Sequence, residues 1–235
     1  YVLVDDNPSL DYNYLKELFR NIKGLSKSFM MDMDPMVVKD NELLKLAKEA
    51  NVSEVFVGIE TVNSESIQEA KGFGSVESYG LLMNKLKENQ ILANASIIVG
   101  FDHDTKKTFD DTFKFLEKHN VPILFLWILT PVPNSKFFNK LREEKRFLFG
   151  ESFYLEPEAA VGVRAVFKPK NMSAEELENE YWKLYQRFYS WKSIFKRIVL
   201  HPFMKPSRMI NALIRNIISH YAVKKRIHPM FADFF

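Results

Sequence analysis

A short apolar run that ends in a polar cluster and is followed by a helical stretch occurs five times in this chain. Val2-Leu3-Val4 ends in Asp5-Asp6-Asn7, and Phe29-Met30-Met31 ends in Asp32-Met33-Asp34. Val55-Phe56-Val57 runs into Gly58-Ile59-Glu60-Thr61, and Ile97-Ile98-Val99 into Gly100-Phe101-Asp102-His103-Asp104. The last and longest run, 124–129, meets Thr130-Pro131-Val132-Pro133. The runs start roughly 26 to 40 residues apart, which suits βα units and is too wide for an all-β chain. Repeated strand-loop-helix units predict an α/β fold, either a parallel barrel or a doubly wound sheet. Such scaffolds carry their chemistry in the loops after the strands, and those loops hold the Asp, Glu and Gly noted above.

Helix signals fill the intervals. The spacing predicts helices over 12–22, from Asp40 onward with Leu43, Leu44, Leu46 and Ala47 inward, over 64–70, and from Ser75 to about Glu88. Asp104-Thr105 is expected to cap a helix through His119, and we favour Asp104 as the capping side chain. A short amphipathic helix is predicted over 135–146. The pattern then dissolves over 147–170, with one strand expected at 161–167. Ser173 stands three residues before Glu176, a capping-box spacing that opens a helix to about Tyr189, extendable to Leu200. A last helix is expected from Ser207 to about Lys224. The organisation predicted is therefore a barrel portion over 1–146, an irregular linker over 147–170 and a basic, aromatic-rich helical extension over 171–235. Because a buried parallel strand needs cover, a chain opening on Tyr1-Val2-Leu3-Val4 reads as the later part of a longer protein.

Composition excludes several chemistries. With 235 residues, 46% of them hydrophobic, the chain can bury a substantial core, and with no Cys it has no disulfide, thiolate nucleophile or cysteine-ligated metal. The apolar run 121–129 includes a Pro and is far too short to span a bilayer. Residues 181–232 contain no Asp or Glu against eleven Lys and Arg, which leaves 22 basic and 30 acidic residues elsewhere, a net charge of −8. An acidic body with a basic tail directs attention to an anionic partner.

Read from residues alone, the strand-end clusters keep two meanings open. Asp5, Asp6 and Asn7 can face a ligand at the barrel mouth or form an ordinary Asp-Asn-Pro turn. Glu60, after Gly58, suits bidentate binding of paired hydroxyls or is a satisfied strand-end carboxylate. Lys71 is a cation for an acidic ligand or a solvated surface Lys. His103 and His119 lack a third ligand, so no metal site is expected, and no phosphate-binding glycine loop or nucleophile elbow is present. In the tail, Trp182, Tyr185, Phe188, Tyr189 and Trp191 can stack on nucleic acid, or form a stripe that packs on the barrel. The final helix, with Ile210, Leu213, Ile214, Ile217 and Ile218 beside Arg208 and Arg215, can lie on an anionic membrane.

Taken in order, Val4-Asp5-Asp6-Asn7, Gly58-Ile59-Glu60-Thr61 with Asn63 and Lys71-Gly72, Gly100 to Thr105, and Leu129-Thr130-Pro131-Val132-Pro133 resemble the radical S-adenosylmethionine (SAM) enzymes that carry an N-terminal cobalamin-binding domain. The segment from Phe167 to Ser173, with Glu175-Glu176-Leu177 and Phe188 to Ile194, looks like the extension of the branch that includes hopanoid methylases. The resemblance implies a partial (βα) barrel lacking here its first strand, with SAM across the C-terminal strand ends. It also implies a [4Fe-4S] cluster held by a C-x-x-x-C-x-x-C loop, which together with the cobalamin domain would lie before Tyr1. By the same resemblance, Asp5, Asp6 and Asn7 would meet the SAM ammonium group, Glu60 the ribose and Lys71 the SAM carboxylate. Gly100 would let the backbone approach the adenine, Asp102 would orient that loop, and the Thr130-Pro131 backbone would read the adenine edge. Asn134-Ser135 stands where the family usually has Gly-Thr, and Asn keeps the left-handed turn accessible.

The function expected is a portion of a radical SAM enzyme that generates a 5′-deoxyadenosyl radical, a cobalamin-dependent methyltransferase on an apolar or lipid-like substrate. The portion alone is expected to be inactive. A small-molecule or lipid substrate, a cluster reductant and an anionic membrane touched through 181–232 are the expected partners, with no nucleic acid. The expected location is cytoplasmic, with peripheral contact at the inner membrane surface. The alternative is a non-catalytic βα scaffold that docks through its basic helices.

Overall fold

The computed structural model describes residues 1–5, 8–69, 74–155, 161–200 and 205–234. Strands β1 (Val2–Leu3), β2 (Phe29–Asp32), β3 (Val52–Glu60), β4 (Leu92–Val99) and β5 (Ile123–Ile128) form one parallel sheet in the order β1-β2-β3-β4-β5. Each strand pairs with its successor in sequence, so the chain advances in one direction across the sheet. A doubly wound sheet requires a point where strand order reverses. This sheet has none, and the architecture is an open arc of a barrel.

Helices α1 (Tyr12–Ile22), α2 (Asn41–Glu49), α3 (Ser64–Glu69), α4 (Val76–Glu88), α5 (Lys106–Lys118) and α6 (Lys136–Glu143) connect and follow the strands. Their starts obey local chemistry. Asp11 accepts from the amides of Asn13 and Tyr14, Asp40 from Leu43, Ser75 from Ser78 and Ser135 from Phe138. Alternate strand residues, among them Val55, Val57, Ala95, Ile97, Leu124 and Leu126, meet Leu43, Leu82, Leu86, Phe109 and Leu116 in the main core. Their neighbours Phe56, Leu92, Ile123, Phe125 and Trp127 line the opposite, inner face.

The extension is part of this body. Helix α7 (Ala174–Phe188) packs on α5 and β5, and Leu177, Tyr181, Tyr185, Phe188 and Tyr189 belong to the main core. The packing reading of the aromatic stripe is borne out for Trp182, Tyr185, Phe188 and Tyr189, which are buried, whereas Trp191 stays 49% exposed.

The same stripe closes the outer edge of β5. The Tyr189 hydroxyl accepts from Leu124 N at 3.1 Å and donates to Leu124 O at 2.9 Å. Tyr185 does the same with Leu126, at 2.5 and 3.1 Å. Four helical residues rise about 6 Å and two strand residues about 6.6 Å, so an i,i+4 pair of tyrosines meets an i,i+2 pair of edge residues. The Ile128 amide donates to Gly162 O at 2.7 Å. An edge strand that would otherwise recruit another chain is thereby satisfied.

Beyond α7 lie α8 (Trp191–Ile194), a π-helical turn (Phe195–Val199), α9 (Pro206–Lys224) and a 3-10 turn (Pro229–Phe234). They cover the inner face of the sheet, where Ile194, Ile198 and Ala212 pack with Leu92, Ile123 and Phe125. Arg215 pairs with Glu54, and His228 stacks on Trp127 with ring centroids 4.2 Å apart. The fully buried guanidinium of Arg197 joins these pieces. It donates to Ser193 Oγ (3.1 Å), Val121 O (2.6 Å), Pro122 O (3.2 Å), Phe188 O (2.8 Å) and Asn216 Oδ1 (3.2 Å).

Two local expectations are corrected. Residues 161–167 form no strand: only Phe167 bridges Phe147, and Gly162, at φ 69°, turns the segment across the end of β5. Asp104 does not cap α5. Thr105 holds the N-cap position in a reciprocal box with Thr108, and the Asp104 carboxylate turns back into its own loop.

Candidate functional site

The sheet register gathers the strand-end residues on one rim. Leu3 lies opposite Met31, Asp32 opposite Phe56, Glu60 opposite Ile97, and Val99 opposite Ile128. Asp5, Glu60, Gly100, Asp102, Thr130 and Pro131 therefore stand at the C-terminal ends of successive strands, the chemical end of a parallel sheet. Asp6, Asn7 and Lys71 lie outside the described residues.

Glu60 is the distinctive group. It sits past a register shift in β3, on a left-handed backbone of φ 62°, a conformation that costs a non-glycine residue energy. Its side chain folds back over Gly58 so closely that a Cβ there would lie 2.5 Å from Glu60 Oε1. Gly58 thus makes room for the Glu60 carboxylate itself. Burial pushes the Glu60 carboxyl above its ordinary value, and no hydrogen bond or ion pair reaches it among the described residues. The buried Tyr79 phenol beside it is raised by burial and by the negative charges of Glu60 and Asp34. Asp34 faces the same neighbourhood, although its Oδ1 is occupied by Met36 N at 2.7 Å.

The β4 loop is clamped from within. Asp104 Oδ2 accepts from Gly100 N (2.8 Å) and Phe101 N (3.1 Å), and Oδ1 from Asn63 Nδ2 (3.0 Å) and Ser66 Oγ (3.0 Å). Burial raises this carboxyl while those four donors oppose the shift. One buried carboxylate thus fixes the loops after β3 and β4 against each other, next to Glu60. Gly100 adopts φ 101°, a backbone that favours glycine, and a Cβ there would meet Leu177 Cδ2 at 3.0 Å and push that side chain aside. The Gly100-to-Asp104 spacing was the sequence signal for the clamp, since a carboxylate four residues on can return to the glycine amide.

Asp102 has a different setting. Its carboxylate meets Lys140 Nζ at 2.6 Å, Arg146 Nη2 at 2.8 Å and Lys170 Nζ at 3.4 Å, and is committed to protein cations. Burial alone would raise its carboxyl, but the hydrogen bonds from Arg146 and Lys140 outweigh that and hold it at about 2. A folded-state value below the ordinary 3.8 stabilises above the ordinary carboxylate range, and the benefit is lost as pH falls from about 4 to about 2. Urea unfolding across that window should show wild-type losing about 2 kcal/mol more than Asp102→Asn. Parallel losses in the two proteins would show that the cluster does not stabilise the fold.

The β5 loop keeps the turn expected of Asn134, at φ 65°, and Ser135 caps α6. Thr130 Oγ1 donates to Ile128 O at 3.1 Å, and Pro131 is buried. Among the described residues no cluster of His, Cys, Asp and Glu is suited to hold a metal ion.

Residues 1–116 match the radical SAM superfamily. A bacteriochlorophyllide d C-12(1)-methyltransferase of Chlorobaculum tepidum is 23% identical over 199 residues, 84% of this chain and 42% of that protein. A hopanoid C-2 methylase of Rhodopseudomonas palustris is 26% identical over 127 residues, 49% of this chain and 22% of that protein. The chain spans less than half the length of either relative. The fold is shared with the cobalamin-dependent SAM radical enzyme OxsB, at a TM-score of 0.55 and 12% identity over 91% of this chain and 37% of that one.

Proposed function

Since residues 1–116 belong to the radical SAM superfamily, we propose that the strand-end rim binds SAM and that the chain is the SAM-holding part of a cobalamin-dependent methyltransferase. The observation that carries this reading is Glu60: a half-buried carboxylate without a partner among the described residues, on a left-handed backbone, laid over a glycine. Isolated in this way it is costly, and a ligand with paired hydroxyls repays the cost. The residues fit SAM. Glu60 would accept from the ribose hydroxyls, Lys71 would face the SAM carboxylate, and Asp5, Asp6 and Asn7 the ammonium group. Thr130 and Pro131 would border the adenine, with Gly100 beside it. Asp104 holds the Gly100 and Phe101 amides still, and Asp102 anchors the same loop to α6 from outside. When bound, SAM supplies the reactive groups; these residues orient it and keep water away.

The cluster does not fit this chain. Among 235 residues there is no Cys, so cysteine ligands would have to come from outside them. The substrate proposed is a small apolar or lipid-like molecule, with an external reductant and an anionic membrane as further partners. No helix among the described residues is long and apolar enough to cross a membrane.

The test is anaerobic reconstitution with iron and sulfide, followed by SAM cleavage assays. Residues 1–235 alone are expected to give neither iron–sulfur absorbance nor SAM cleavage, and a protein extended upstream by a three-cysteine loop is expected to give both. A chelation-resistant iron–sulfur chromophore on residues 1–235, or an extended protein that assembles its cluster and leaves SAM intact, would overturn the proposal.

A further inference from the structure

The structure divides the eleven basic residues of 181–232 into groups that the sequence cannot separate. Arg197, Arg208 and Arg215 turn inward: Arg197 into its cage of oxygens, Arg208 onto Gln90 O and Asn51 Oδ1, Arg215 onto Glu54. Lys183, Arg187 and Lys196 pair with Glu180, Asp110 and Glu117. Arg226 reaches Asn179 Oδ1 at 3.5 Å. Lys192, Lys205, Lys224 and Lys225 remain exposed with no ion pair among the described residues. The expectation that Arg208 and Arg215 face a membrane is therefore corrected.

The outward face of α9 is apolar. Ala212, Asn216, Ser219 and Val223 pack against the body, which leaves Ile210 58%, Ile214 51%, Ile218 37% and Tyr221 57% exposed along one stripe. Trp191, 49% exposed, extends the stripe, its ring centroid 6.4 Å from that of Tyr221. Lys205 stands at one end of the helix, Lys224 and Lys225 at the other, and Lys192 beside Trp191. No acidic residue occurs anywhere in 181–232.

We propose that this face of α9 docks on an anionic lipid bilayer, with the isoleucines entering the headgroup boundary, Trp191 and Tyr221 at headgroup level, and the four unpaired lysines on lipid phosphates. The inference narrows the membrane partner of the proposed function to one helix face and rests on that reading for the partner alone; nothing in it depends on SAM. An apolar stripe with aromatic residues and flanking lysines matches an interfacial helix, and a face without carboxylates meets no repulsion from anionic headgroups. A polynucleotide fits less well, because Tyr181, Trp182, Tyr185, Phe188 and Tyr189 are interior and the exposed stripe of α9 is mostly aliphatic, with Phe195 a further exposed ring near Trp191.

Co-sedimentation of the full-length protein with vesicles of phosphatidylcholine alone, or mixed with phosphatidylglycerol, tests the surface. Binding is expected to the mixed vesicles only, and to weaken with salt. Lys224→Gln with Lys225→Gln should weaken it about thirtyfold, at about 1 kcal/mol per lysine. Ile210→Asn with Ile214→Asn should abolish it at unchanged charge and leave the unfolding midpoint nearly unchanged, since both side chains are more than half exposed. SAM binding by the same variants should be unaltered, which separates failure here from failure of the SAM reading. Equal binding to both vesicles, no loss in the isoleucine variant, or tighter binding to single-stranded RNA would overturn the proposal. So would a full-length protein that ignores vesicles and is destabilised by Ile214→Asn, which would mean that another part of the protein covers the face.

Discussion

Arg197→Met is expected to lower unfolding stability by about 3 kcal/mol, measured by urea denaturation at unchanged m-value. The figure follows from what the substitution strands. Val121 O, Phe188 O and Asn216 Oδ1 lose the donors that reach them from Arg197 at 2.6, 2.8 and 3.2 Å, whereas Pro122 O keeps Asn216 Nδ2 at 3.0 Å. A buried carbonyl left without a donor costs about 1–3 kcal/mol. Phe188 ends α7, so the cation also leaves the negative end of a helix dipole. The guanidinium carbon lies 3.5 Å from the Phe188 ring centroid, and that contact goes too. Burial works against the charge and pulls the guanidinium down, so Met recovers part of the loss, and the net stays near the lower end of the sum for three stranded acceptors. Arg197→Lys keeps the charge but cannot span oxygens on α7, α9 and the loop before β5, so it should fall between wild-type and Met. It also remains measurable if the Met variant fails to fold. A Met variant within about 0.5 kcal/mol of wild-type would show that the three elements are held by packing alone.

Much of the barrel arc was legible in the sequence for one physical reason. A parallel strand buried on both faces must be a continuous apolar run, and here each run is followed by a polar rim and an amphipathic helix. The helix predicted over 12–22 is α1, Tyr12–Ile22, because Asp11 caps its start. The strand expected over 161–167 failed because Val161, Val163, Val166 and Phe167 carry strand composition while Gly162 takes a left-handed turn, and composition does not report φ. At the rim, Asp102 and Asp104 are indistinguishable by type and position. Burial and neighbours separate them: Asp102 is held by Lys140 and Arg146, and Asp104 by amides of its own loop. The basic tail misled most. Its charges are visible as letters, but whether an Arg faces Glu54 across the sheet or faces solvent depends on where α9 lands, a tertiary fact more than a hundred residues distant in sequence.

In the full-length protein, Glu60→Gln should have effects of opposite sign on stability and on ligand affinity. The ionised carboxylate is half-buried with no partner among the described residues, so a neutral isostere relieves a desolvation cost and the ligand-free protein should unfold at the same or a higher temperature. SAM binding should weaken by about 1–3 kcal/mol, roughly five- to 150-fold, the cost of losing the charged acceptor of hydrogen bonds. Lys71→Ala should weaken it similarly, and neither change should prevent cluster assembly. The pH dependence has a definite direction. Burial raises the Glu60 carboxyl in the empty protein, whereas donated ribose hydroxyls favour its ionised form and lower it. Wild-type affinity for SAM should therefore rise with pH through a window just above the ordinary carboxylate range, and the Gln variant should lack that rise. A carboxylate kept only for the fold would behave otherwise, its removal costing stability and leaving affinity flat in pH. Titration calorimetry across that window, with thermal unfolding of the ligand-free proteins, separates the two cases. If Glu60→Gln binds SAM as wild-type does, the strained backbone at φ 62° and the bare Gly58 beneath it serve something other than the ribose.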